Sequence, residues 1–126
     1  MAKRGNQAEH DRMVQLVASN VEEQGHSNIK SDLHRFNTPE LIYWENTKKG
    51  QIPDVTSTDI RSYIFEVETD DSIDDSHTEE QWRLFSAYAQ QNSKTFIVVV
   101  PKGLEQQARQ RAKDLGINID GVWEIG

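Results

Sequence analysis

The run Phe96-Ile97-Val98-Val99-Val100, closed by Pro101 and Gly103, constrains this chain most. A strand that does not alternate polar and apolar residues must be covered on both faces, because otherwise half of its side chains would meet water. Such a central strand needs a layer above and a layer below, and the amphipathic segments around it supply them. Residues 76–92 open with an S-x-x-E capping box, Ser76 and Glu79, and then carry Trp82, Phe85, Tyr88 and Ala89 on one inner face. Residues 104–115 read as an amphipathic helix ended by Gly116. Near the amino end, Asn6 and Glu9 resemble a capping pair. His10, Met13, Val14, Val17 and Val21 then recur at helical spacing until Gly25, which predicts a helix over about 7–24.

Residues 29–33 read as a short strand. Residues 34–50 are irregular and polar, with one apolar knot, Leu41-Ile42-Tyr43-Trp44, that fits either a loop or an extra strand. Residues 52–58 and 62–68 alternate in side-chain direction on either side of Asp59-Ile60-Arg61, the pattern of a hairpin. Residues 122–125 supply a last strand. The predicted order is αβββαβαβ, an α/β fold with a mixed sheet flanked by helices on both sides. At 126 residues the chain makes one domain, spanning 1–126.

Composition limits the chemistry. There is no cysteine, which excludes disulfides, thiolate metal sites and a cysteine nucleophile, so any metal must be held by oxygen or imidazole. The start, MAKRGNQAEH, has no apolar run behind its basic residues, and no stretch reaches the roughly 18 apolar residues of a membrane span. These features predict a cytoplasmic protein with no membrane partner. The net charge of −7 opposes a protein that coats nucleic acid through charge alone. Lys3, Arg4, Lys48, Lys49, Arg109, Arg111 and Lys113 could still meet phosphates, although solvated surface is the simpler account of each.

The carboxylates carry the functional signal. In the strand containing residues 63–68, alternation puts Ile64, Glu66 and Glu68 on one face and Tyr63, Phe65 and Val67 on the other. Antiparallel pairing across the hairpin brings Asp54 towards Glu66. Three acids in one place repel one another unless a cation sits among them, and hard divalent ions such as Mg²⁺ or Mn²⁺ take oxygen ligands. His77 and Gln81 share a helical stripe with Phe85 and Tyr88, so both are expected to project over the acids, and His10 begins the inner stripe of the first helix.

Pro53-Asp54 followed by Ile64-Phe65-Glu66-Val67-Glu68 resembles the PD-(D/E)xK nuclease superfamily, which includes restriction enzymes, archaeal Holliday-junction resolvases and phage or repair nucleases. The resemblance extends through the order of elements from His10 to Ile125 and implies a restriction-endonuclease-like fold. It implies that Asp54 and Glu66 bind Mg²⁺ or Mn²⁺, one ion or two, and that Glu68 occupies the position of the family's water-activating lysine. Glu68 is a departure from that pattern. An E-x-E arrangement is compatible with hydrolysis, and it also suits a member that has lost activity. His10 falls where related resolvases place a helix glutamate, and Gln81 resembles helix glutamines near the site in several nuclease branches.

The implied function is metal-dependent hydrolysis of DNA phosphodiesters, with Glu68 or His77 orienting the water. The alternative is an inactive nuclease-fold module that binds nucleic acid or a protein. Nucleases of this kind act as homodimers or within larger complexes, but no interface signature is legible here. Other motifs point nowhere: Asp70, Asp71, Asp74 and Asp75 lack the calcium-loop pattern, and the turn at 100–103 is too poor in glycine to cradle a phosphate. Trp44, Trp82 and Trp123 are expected to pack in the core or at its rim.

Overall fold

The computed structural model describes residues 7–32, 36–44 and 50–126. Asn6, Lys3, Arg4, Lys48 and Lys49 lie outside them, as does Leu33 at the end of the expected first strand. The elements are α1 (Gln7–Glu23), β1 (Ser27–Ser31), β2 (Ile42–Tyr43), β3 (Gly50–Gln51), β4 (Val55–Thr58), β5 (Ser62–Val67), α2 (Ser76–Gln91), β6 (Lys94–Pro101), α3 (Glu105–Leu115) and β7 (Gly121–Ile125).

Five strands form the main sheet in the order β1-β4-β5-β6-β7. β1, β4 and β5 pair antiparallel, and β5, β6 and β7 pair parallel. Within this sheet the element order is the expected αβββαβαβ. The hairpin β2–β3 is an addition between β1 and β4, so the Leu41–Trp44 knot forms an extra strand rather than a loop. Ile42 anchors it by entering the core beneath α2. Gly50 is required opposite, because a Cβ there would lie 2.9 Å from both the Ile42 carbonyl oxygen and Leu41 Cδ1.

The non-alternating strand β6 is covered on both sides, as its sequence demands. Phe96, Val98 and Val100 pack against Trp82 and Phe85 of α2 and Ala108 of α3. Ile97 and Val99 face the opposite way, towards Met13, Val14, Val17 and Val21 of α1. Burying each such side chain contributes on the order of 1.5–3 kcal/mol, so the two layers hold the sheet between them. β5 obeys the same alternation: Phe65 and Val67 join the α1 layer and Ile64 joins the α2 layer.

Several boundaries differ from the sequence-based expectation. The first strand of the β4–β5 hairpin begins at Val55 rather than residue 52, and this leaves Asp54 at its mouth. The first strand runs Ser27–Ser31, two residues earlier than expected, with a pairing irregularity after Ser27 and Asn28 at positive φ. The cap of α2 is Asp75, whose carboxylate accepts from the His77 amide at 3.0 Å. Asp75 has extended backbone dihedrals and places a negative charge at the positive end of the helix, so it takes the role expected of Ser76. Glu79 is thereby released to pair with Arg83 at 2.9 Å. Among the described residues no helix is long and apolar enough to cross a membrane.

Candidate active site

Asp54 follows a buried proline and immediately precedes β4, so its backbone is held between β1 and β5 while its side chain reaches past the end of the ladder. The Val67 amide of β5 donates to Asp54 Oδ2 at 2.8 Å, and His10 Nε2 of α1 lies 3.2 Å from the same oxygen. The Asp32 amide, just after β1, donates to the Asp54 carbonyl at 3.2 Å. Three elements, α1, β1 and β5, therefore converge on this one residue, which is only 5% exposed.

Register explains why Glu66 is its neighbour. Val55 pairs with Phe65, which places Asp54 opposite Glu66, and the Asp54 amide lies 3.4 Å from Glu66 Oε2. Glu66 is fully buried. The hairpin brings the two residues side by side as expected, and the contact runs from the Asp54 amide, which donates, to the Glu66 carboxylate.

Glu68 has a different environment. Its Oε1 accepts from Ser72 Oγ at 2.7 Å and from Thr78 Oγ1 at 3.2 Å, and its Oε2 accepts from Trp82 Nε1 at 3.2 Å. It is also fully buried. These donors come from the turn after β5 and from the first turns of α2, so Glu68 ties that helix to the sheet. Among the described residues no group of three or more His, Asp or Glu side chains could hold a metal ion together. The expected pocket of three shared carboxylates is thus not formed, because Ser72, Thr78 and Trp82 draw the third acid into a cradle of its own.

A cavity of about 240 Å³ opens over Asp54. His10, Asp11, Asp32 and Gln81 also line it, with Leu41 and Ile52 at its rim. Gln81 takes the roofing position expected of it: it is 3% exposed, and its Oε1 has no hydrogen-bond partner among the described residues. His77 does not line this cavity. It is half-buried four residues earlier on α2, with Nδ1 3.9 Å from Glu80. His10 meets the site through Asp54, while its Nδ1 lies 3.2 Å from Asp11 Oδ1.

The cavity is acidic. Partial desolvation pushes the Asp32 carboxyl above its ordinary range, the charge on Asp54 pushes it further, His10 acts against the shift and Asp11 adds to it. A cation would relieve this crowding. Asp54 presents a carboxylate to the cavity and Gln81 a buried amide oxygen with no hydrogen-bond partner among the described residues, oxygen donors of the kind a hard divalent ion takes, while Glu66 is fully buried and does not line the cavity. Glu68 does not belong to that set. Sequence reasoning missed Asp11 and Asp32. Asp11 is legible as the neighbour of His10, whereas Asp32 enters only because β1 pairs with β4. No family model, curated protein or solved structure matches this chain.

Proposed function

We propose that the Asp54 cavity is the site of metal-dependent phosphodiester hydrolysis on DNA, in an endonuclease-like protein of restriction-endonuclease-like fold. The observation that carries this reading is the buried Asp54 carboxylate at the wall of an acidic cavity, with the Glu66 side chain on its backbone amide and, across the cavity, a buried Gln81 oxygen that has no hydrogen-bond partner among the described residues. A cytoplasmic setting belongs to the same reading.

Asp54 and Glu66 would hold Mg²⁺ or Mn²⁺. When bound, such an ion polarises a phosphate oxygen and acidifies water. The chain's own contribution is orientation. The Val67 amide fixes Asp54 Oδ2, and His10 lies close enough to the same carboxylate to take up or return a proton there. Gln81 Oε1 accepts a hydrogen from the attacking water and aligns it, the task that Glu68 and His77 were expected to share. Glu68 has both oxygens committed to other donors and is left out of the reaction.

Titrating the protein with Mn²⁺ in a calorimeter, and incubating supercoiled plasmid with Mg²⁺, tests this reading. Wild type should bind the ion and nick the plasmid, and D54N and E66Q should lose both. A second reading is favoured by the Glu68 cradle, which stands where the family's lysine would act: a nuclease fold without activity that binds nucleic acid or a protein. Retained nucleic-acid affinity with no metal binding and no nicking selects it.

A further inference from the structure

We propose that a pocket on the α2 side of the sheet, between Lys30 of β1 and Lys94 of β6, binds a phosphate dianion, free or as a small phosphomonoester. The pocket measures about 150 Å³ and shares no lining residue with the Asp54 cavity, so it stands apart from the nuclease-like reading of that cavity. Its floor follows from register. Lys30 pairs with Thr56 and Thr56 with Ile64 in one row across the strands, and Thr58 pairs with Ser62 and Ser62 with Lys94 in the next. Residues two apart on a strand share a face, so these side chains belong to the face on which Ile64 meets the α2 layer. Beyond Ile64 and Ile42 the floor turns from apolar to hydroxyl-bearing, since Thr56, Thr58 and Ser62 are half-buried and line the pocket. Tyr88 of α2 supplies a wall and a further hydroxyl.

Both positive charges come from strands of the sheet. Lys30 and Lys94 line the pocket against one carboxylate, Glu40. Glu40 approaches Lys30 only to 3.9 Å and its side chain is 86% exposed, so water screens that pair and leaves much of the lysine's charge available. Lys94 is half-buried and has no carboxylate partner among the described residues. β1 and β6 stand three strand spacings apart, about 14 Å at ~4.8 Å each, and the flexible stems of two lysines can close on a group seated between them over β4 and β5. Hydroxyl donors below and ammonium groups at both sides are the donor set of a phosphate, whose several oxygens accept at once. The volume agrees: at ~30 Å³ per water it holds about five waters, room for a phosphate group but not for a polymer. A dianion gains from both lysines, whereas a carboxylate brings only one charge to them.

The test is calorimetric titration of the full chain with inorganic phosphate, phenyl phosphate and acetate at fixed ionic strength and pH ~8, where a phosphate with a second pKa near ~6 is a dianion. Wild type should bind phosphate more tightly than acetate. K94Q should weaken phosphate binding about tenfold, the loss of one charge-assisted contact, and K30Q should weaken it less because Glu40 offsets part of that charge. K102Q, at an exposed lysine outside the pocket, should leave binding within about twofold of wild type. Binding of inorganic phosphate alone marks a free-ion site and tighter binding of phenyl phosphate marks a monoester site, and both uphold the proposal. It is overturned if K94Q binds within about twofold of wild type, if K102Q weakens binding as much as K94Q does, or if acetate binds as tightly as phosphate. Should K94Q fold poorly, amide chemical shifts of the wild type decide. Phosphate should move the signals of Thr56, Thr58, Ser62 and Lys94, and a response at Asp11 and Asp32 instead, or at no residue, overturns the proposal.

Discussion

Glu66 lies in β5 and Glu68 just past its end, two residues apart, and both are fully buried. They share a residue type and a burial, yet different parts of the chain surround them. Glu68 accepts from the side chains of Ser72, Thr78 and Trp82, whereas Glu66 accepts from the backbone amide of Asp54, the residue whose carboxylate opens to an acidic cavity. The difference teaches that burial alone does not mark a functional carboxylate. A buried carboxylate ringed by side-chain donors from another element ties that element down, whereas Asp54, buried at the wall of an acidic cavity, lies where a ligand can reach it.

Substitution should separate the two acids sharply. E68A removes the acceptor of the buried Trp82 N–H and of the Ser72 hydroxyl, while Thr78 Oγ1 keeps the Ser72 carbonyl at 2.7 Å, and should cost on the order of 3 kcal/mol, read as a lower denaturation midpoint with an unchanged slope. If E68A is as stable as wild type, the cradle is not what binds α2 to the sheet. Next in size is D54N: nicking in Mg²⁺ should fall by at least about 100-fold while stability stays within about 1 kcal/mol of wild type, since one like charge is removed from a crowded site. A large loss of stability in D54N with activity retained would reverse the assignment of the two regions.

Q81A should slow nicking by about tenfold with little change in Mn²⁺ affinity, a split expected of a residue that aligns water rather than one that holds the ion. Equal losses in both measurements would move Gln81 into the ligand set.

The smallest effect concerns Asp32. Its folded-state pKa is raised, by partial desolvation first and by Asp54 second, so the folded protein holds that proton more tightly than the unfolded chain does. The favourable contribution is complete below the ordinary carboxylate pKa and is lost as pH rises through the raised value. D32N should therefore melt slightly higher than wild type at neutral pH, and the gain should vanish on acidification. A gain that persists in acid would place its origin elsewhere.

Much of the fold was readable from periodicity. The apolar run of β6, the stripes of α1, α2 and α3, and the alternation across the hairpin are local patterns whose period states which face must be covered. The Asp54–Glu66 pairing was readable for the same reason, because the hairpin brings them together within a few residues of chain. The strand β2 was ambiguous, since its formation depends on Ile42 finding room beneath α2 and on Gly50 having no side chain. The cap fell on Asp75 rather than Ser76 because dihedral angles, not residue type, select between adjacent capping candidates.

Residue order was therefore enough to specify the layers and to bring two acids together, since both follow from spacing along a strand or helix. The fates of Glu68 and Trp44 required the folded molecule. Donors drawn from a turn and from α2 surround Glu68, and the placement of the β2–β3 hairpin against α2 leaves Trp44 half open. Contacts between segments distant in sequence have no period, and three-dimensional packing alone determines which polar group meets which.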